Sequence, residues 1–283
     1  MQILFKQYLE IKMQFSLVNN VRVEAFSCGR GVCPVCQAEM IAKCGSRMIA
    51  HWAHAKCKNC DPWWENETLW HRHWKNRFPP ECREITHMAA NGEIHRADIK
   101  TPTGIIIEVQ HSNITDLERI SREEFYKNLI WIIDGAPFKK NFDIYHLLPD
   151  PQSEIAKDIV WVKAKRHQHG ANNGIFFKLS ELRENNPFAT KSMVSWGQYH
   201  FMHEIADQVH QSYSGHHQFD WIRPRKAWLE SSVPVFIDFG DEYLVKFEVY
   251  DEYELSSIRL VSKLTFIYDS MIETNALKVG SHF

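Results

Sequence analysis

Apolar and polar positions alternate along residues 13–26 (MQFSLVNNVRVEAF), in two short runs that flank Asn19-Asn20. Alternation with a period of two marks strands, and the Asn-Asn pair suits a hairpin turn. The pattern then lapses. Residues 27–64 are poor in aliphatics and rich in Cys, His, Gly and Lys, so this stretch buries little core and needs a staple. Residues 66–78 (NETLWHRHWKNRF) predict a helix that stops at Pro79-Pro80. Residues 82–90 and 93–100 predict strands joined by a turn at Asn91-Gly92, and Gly104 opens a buried strand, IIIEVQ. Thr115 caps a predicted helix from Asp116 to Asn128, with Glu118 in the capping-box position. LIWIID (129–134) reads as a further buried strand, ended by Gly135. The order is helix, three strands, helix, strand. Beyond it, 165–174 reads as a loop, 181–192 as a connector, and 233–250 as a hairpin turning at Gly240-Asp241. The expected divisions are 1–64, 65–150 and 151–283.

Composition narrows the function classes. The chain has 283 residues and a formal net charge of -2, so no global basic field draws it to nucleic acid, and such a partner requires a local basic patch. No apolar signal segment opens the sequence, and the longest apolar runs are far too short to span a bilayer. A cytoplasmic chain with no membrane partner is expected. Seven cysteines is an odd count. Two CxxC pairs among them point to metal binding rather than disulfides.

Cys33-Pro-Val-Cys36 is followed by Cys57-Lys-Asn-Cys60, a spacing suited to a four-cysteine zinc site. Each pair offers two thiolates from one turn, and two such turns close a tetrahedron. His51 and His54 lie between the pairs, so a mixed Cys/His site stays open. Four protein ligands leave no open position, which makes this zinc structural.

A second cluster carries acid. Glu108 and Gln110 share one face of their strand, and Arg96 and Asp98 share one face of the strand before it. If these strands pair through the turn near 101–103, both carboxylates face one cleft. Two carboxylates roughly 4 Å apart repel by about 4 kcal/mol at an intermediate dielectric. A divalent cation removes that cost, and Mg2+ or Mn2+ suits carboxylates, water and phosphate oxygens. On the preceding helix, Glu67, His71 and Lys75 form one polar stripe beside the apolar stripe of Trp70, Trp74 and Phe78. Lys43, Arg47, Lys56 and Lys58, with Arg72 on the helix, are candidate nucleic-acid contacts.

Taken together, CPVC (33–36), HWAH (51–54), Glu67-Thr68 with His71 and Lys75, Arg96-Ala97-Asp98 and Glu108-Val109-Gln110 resemble the competence protein CoiA-like family, a branch of the PD-(D/E)XK nuclease superfamily. The resemblance covers roughly residues 25–135, with Arg122 and Tyr126 as a looser match. It implies a restriction-endonuclease-like α/β core between an N-terminal zinc-binding module and a C-terminal α+β extension. Asp98 and Glu108 would bind Mg2+, with Glu67 as the helix acid. Gln110 stands where many members carry lysine, and Lys75, Arg96 or a second metal would then supply the positive charge. The implied activity is phosphodiester hydrolysis, expected on DNA, in competence, recombination or defence against foreign DNA. The alternative is a non-catalytic nucleic-acid-binding or partner-docking protein of nuclease-like fold. The region after 150 would set substrate choice, bind a protein partner or form an oligomer.

Overall fold

The computed structural model describes residues 12–46, 48–56, 60–61, 63, 67–89, 92–167, 173–194, 198–251 and 255–272. The chain forms two compact units, residues 1–129 and 130–283.

The first unit begins with β1 (Phe15–Val18), β2 (Val21–Glu24), β3 (Arg30–Val32), β4 (Glu39–Lys43) and β5 (His51–His54). They form an antiparallel sheet in the order β2-β1-β3-β4-β5. Asn19 and Asn20 both take left-handed φ, 51° and 64°, the conformation a two-residue hairpin turn demands. Met13 and Trp52 exchange both backbone hydrogen bonds, at 2.9 and 2.7 Å, so the chain entering β1 meets β5. Gly31 lies where β3 crosses β1 closely. The core here is small: Met13, Cys33, Met40 and Trp52, with Val35, Cys36 and Cys60 against it. Sulfur and one indole make its buried centre, and Val18, Val23, Ala25 and Ala42 pack only partly buried around it.

α1 (Leu69–Lys75) is shorter than the helix expected over 66–78. Thr68 caps it, its hydroxyl accepting from the His71 N–H at 3.1 Å, so Glu67 stands before the helix rather than on it. Then follow β6 (Arg83–Met88), β7 (Ile94–Lys100), β8 (Ile106–Gln110) and α2 (Asp116–Phe125). β6, β7 and β8 pair antiparallel in that order. Asn91, half of the expected turn between the first two, lies outside the described residues; Gly92 takes φ +88°. Gly104, at φ +83°, turns β7 into β8. All five residues of β8 are buried, as the IIIEVQ run predicts. Thr115 caps α2 by accepting from the Glu118 N–H at 3.2 Å.

The second unit holds β9 (Leu129–Asp134), β10 (Phe142–Leu147), α3 (Glu154–Asp158), β11 (Ile159–Trp161), β12 (Ile175–Lys178), α4 (Leu179–Asn185) and β13 (His200–Phe201). After these come α5 (Ala206–Ser212), β14 (His216–Trp221), α6 (Lys226–Leu229), β15 (Val235–Asp238), β16 (Tyr243–Val249), β17 (Ser256–Ser262) and α7 (Lys263–Met271). Its main strands run β10-β14-β17-β16-β15-β9, parallel only between β15 and β9. β15 and β16 are the hairpin expected over 233–250. Residues 181–192, expected as a connector, instead contain most of α4 and the start of a 3-10 turn, Lys191–Met193. β11, β12 and β13 form a small separate sheet. No helix among the described residues is long and apolar enough to cross a membrane.

The close crossing at Gly31 yields a test. A Cβ there would meet the Ser16 Oγ at 2.5 Å and the Leu17 carbonyl oxygen at 2.7 Å. Gly31→Ala should therefore destabilise the first unit by about 1–3 kcal/mol, the usual cost of overpacking. Thermal unfolding checks it, and an unchanged melting temperature contradicts the packing described.

Candidate metal centre and acid cleft

Cys33 and Cys36 flank the turn between β3 and β4, His54 ends β5, and Cys60 follows a few residues later. One ligand atom from each converges, all within 4.8 Å of one another. The Cys33 and Cys60 sulfurs are 3.9 Å apart, and the His54 Nε2 lies 3.4 Å from Cys36 and 3.7 Å from Cys60. A zinc tetrahedron with Zn–S near 2.3 Å and Zn–N near 2.0 Å has edges of about 3.8 Å between sulfurs and about 3.5 Å from sulfur to nitrogen. The cluster fits a structural zinc. The hydrogen bond with Cys60 pulls Cys33 down to about 4 against burial, and Cys60 is pushed up in turn. His54, the alternative ligand, thus joins three of the expected cysteines. Cys57 lies outside the described residues. His51 is not in the cluster. It is buried, with its Nδ1 2.8 Å from the Ile49 carbonyl oxygen.

The acid cleft lies in the same unit. The β7–β8 ladder runs to Ile99 opposite Ile107, and one step further Asp98 and Glu108 face each other. There the side chains take over from the ladder. The Asp98 N–H donates to the Glu108 Oε1 at 3.2 Å, and the Val109 N–H donates to the Asp98 Oδ2 at 3.0 Å. Each carboxylate satisfies a backbone donor on the other strand. Asp98, Glu108, Gln110, Glu67, His71, Lys75 and Arg96 all line this one cleft.

Burial and its neighbours set each group's charge. Burial would raise Asp98, but His71, its Nε2 2.9 Å away, and Lys75 hold it well below the usual carboxylate range. The His71 contact meets an ion-pair distance without hydrogen-bond alignment. Glu108 goes the other way. Burial first, then the Asp98 charge, pushes it up to about 8, although Arg122 stands 3.0 Å away. Lys75 is buried between Glu67 and Glu84, whose carboxylates outweigh desolvation and keep it charged. Glu84 is held down to about 2; burial opposes this, and Lys75 and Arg96 outweigh it. Arg96 is likewise kept charged against burial by Glu84, Asp61 and Asp98, and its Nη1 has no hydrogen-bond partner among the described residues.

Two expectations change. Glu67 is engaged by both Arg72 and Lys75, and burial is outweighed by these cations, so it stays ionised. Its ligand atoms do not converge with those of Asp98 and Glu108 within one ion's reach among the described residues. Arg72, expected as a nucleic-acid contact, is itself buried by that pairing. Of the other candidate contacts, Lys56 is exposed and Lys43 half-buried, while Arg47 and Lys58 lie outside the described residues. Asp61 and Glu84 also line the cleft without a motif to announce them, and Arg122 belongs only loosely to the family resemblance. The only local signal was for Asp61, which directly follows a zinc ligand.

Residues 21–62 match the family described as Competence protein CoiA, N-terminal domain. All four converging ligands fall inside that match. No curated protein and no solved structure matches the chain.

Two outcomes are expected. The purified protein should hold about one zinc per chain, retained in Cys57→Ser and lost in a His54→Ala/Cys60→Ser double variant, since four ligands complete the tetrahedron. Elemental analysis decides, and zinc lost in Cys57→Ser would assign the fourth ligand elsewhere. The second outcome concerns pH. The folded-state value of Glu108, about 8, lies above its unfolded value near 4.5. Stability from this group is therefore full below about pH 4.5 and lost as pH rises towards 8. In zinc-loaded, magnesium-free protein, Glu108→Gln should remove that loss. It should be more stable than wild type at pH 8 by at least about 1.4 kcal/mol, the value of one pKa unit. Urea unfolding at pH 5 and 8 that shows parallel curves would contradict the account.

Proposed function

We propose that the acid cleft is the reactive site of a metal-dependent nuclease. The observation that carries the reading is the cross-strand arrangement of Asp98 and Glu108, which turns two carboxylates towards one cleft lined by buried cations. A protein surface gains nothing from this repulsion unless a cation uses it. Burial first, and then the Asp98 charge, raises Glu108 in the metal-free protein. Mg2+ or Mn2+ bound by Asp98 and Glu108 would supply charge neutralisation at a phosphate and an activated water.

The chain's own groups complete the chemistry. Glu108 must give up its proton and its Arg122 partner to ligate, and Arg122 has Glu118 and the Trp63 carbonyl oxygen to turn to. Lys75 stays charged between Glu67 and Glu84 and provides a fixed positive field where the phosphate's charge develops. Gln110 cannot supply charge, but its amide can orient water or a phosphate oxygen, and it already reaches towards the Ser112 carbonyl at 3.3 Å. The family match in residues 21–62 supports a competence-related role with DNA as the polymer; recombination and defence against foreign DNA are the other settings for such chemistry. One observation favours the non-catalytic alternative: Glu67 is committed to an ion-pair network instead of the metal.

Cleavage of linear, nicked, circular and single-stranded DNA, and of RNA, in Mg2+ or Mn2+ decides between them. Asp98→Ala and Glu108→Ala should each lower phosphodiester hydrolysis by roughly a hundredfold or more, with zinc content unchanged. Lys75→Met should slow cleavage without abolishing binding. A double Asp98/Glu108 variant that cuts as fast as wild type leaves the binding module standing in place of the enzyme.

A further inference from the structure

We propose that the Cys33/Cys36/His54/Cys60 metal site is a positioning element of the acid cleft, acting through Asp61 and Trp63. The inference rests on the cleft being the reactive site, and its test reads backbone protection, so it stands or falls apart from cleavage.

Cys60 is both a metal ligand and the start of the chain that walls the cleft. The next residue, Asp61, is buried, and its carboxylate works at both ends. One oxygen lies 3.0 Å from the His95 Nδ1, and the other accepts from the Arg96 N–H at 3.0 Å. Those two residues precede Asp98 on β7. The Trp63 N–H donates to the same carboxylate at 3.0 Å. Its ring stacks on His95, with centroids 3.3 Å apart. Its carbonyl oxygen accepts from Arg122 at 2.5 Å, and Arg122 in turn pairs with Glu108. Each cleft acid is therefore one strand step or one ion pair from a segment anchored at a metal ligand.

A second route leaves from the same sheet. Trp52, two residues before the ligand His54, exchanges backbone hydrogen bonds with Met13. The following Gln14 N–H donates to both oxygens of Glu84, at 3.0 and 2.9 Å, and Glu84 holds Lys75 at 2.7 Å. The described residues 60, 61 and 63 belong to no helix or strand, so no ladder of their own holds them. Ligation of Cys60 supplies the fixed end. Metal binding of this kind carries folding free energy, and here that energy is delivered into the cleft.

Hydrogen exchange tests the link. Removing zinc should speed exchange of the Arg96, Asp98 and Val109 amides by about tenfold or more, while β15 and β16 of the second unit keep their rates. In zinc-loaded protein, Asp61→Ala should loosen Arg96 and Asp98 in the same way. Asp61→Asn keeps an acceptor for the Arg96 N–H and should restore protection at Arg96. Cleft amides that exchange at the zinc-loaded rate after the metal is gone overturn the proposal. If zinc removal instead unfolds the whole chain, zinc-loaded Asp61→Ala decides: unchanged exchange at Arg96 and Asp98 overturns it.

Discussion

Two strands part at Asp98 and Glu108, and the rest of the first unit answers the consequence. Where the β7–β8 ladder ends, each carboxylate accepts a backbone N–H from the opposite strand. That satisfies donors which would otherwise be costly to bury, and it forces two acids into one place. At an intermediate dielectric, two unit charges about 4 Å apart repel by about 4 kcal/mol, several times the net worth of a typical hydrogen bond. The repulsion must go somewhere. Part goes into Glu108, which burial first and then the Asp98 charge push up to about 8. The remainder is met by cations.

Those cations explain which elements surround the cleft. α1 contributes Lys75 to Glu67 and Glu84, and its His71 ring stands 2.9 Å from Asp98. α2 contributes Arg122 to Glu108. β7 contributes Arg96, held charged by three acids around it. A buried ion network of this kind is weak evidence for stability, because desolvation offsets its attraction. It is better evidence for a site, since strongly perturbed groups gathered in a cleft are a mark of function. In the N-terminal sheet, sulfur and one indole form the centre of the core, and Cys33, Cys36, His54 and Cys60 converge at its edge in an arrangement that could hold a structural zinc.

Much of this was legible in the sequence, for definable reasons. The alternating runs around Asn19-Asn20 and the helix–strand order over 66–134 follow from periodicity and turn chemistry, which are local. The facing of Asp98 and Glu108 followed from the period of two. The ligand set was half legible: CPVC names two thiolates, but spacing alone does not choose between His54 and a further cysteine. Glu67 and Arg72 were misplaced because the helix begins later, at Leu69, with Thr68 as its cap; Glu67 then folds back onto the first turns, where Arg72 and Lys75 take it. Glu84 was illegible because its backbone partner Gln14 lies 70 residues away in sequence. In the second unit the strands hide polar residues inside. His216, Gln218, Asp238 and Lys246 are all buried, and Glu248 is held down to about 2 by hydrogen bonds from His216 and Lys246 that outweigh its burial. Such strands lose the clean alternation from which a pattern is read.

The central claim is that the Asp98–Glu108 pair is a cation site kept ready by its neighbours. Anomalous scattering from crystals of the zinc-loaded protein soaked in Mn2+ addresses it directly. The account predicts a manganese peak between the Asp98 and Glu108 carboxylates, separate from a zinc peak among Cys33, Cys36, His54 and Cys60, with Arg122 withdrawn from Glu108. A Glu108–Arg122 pair that stays intact at saturating Mn2+, with no peak in the cleft, would contradict it.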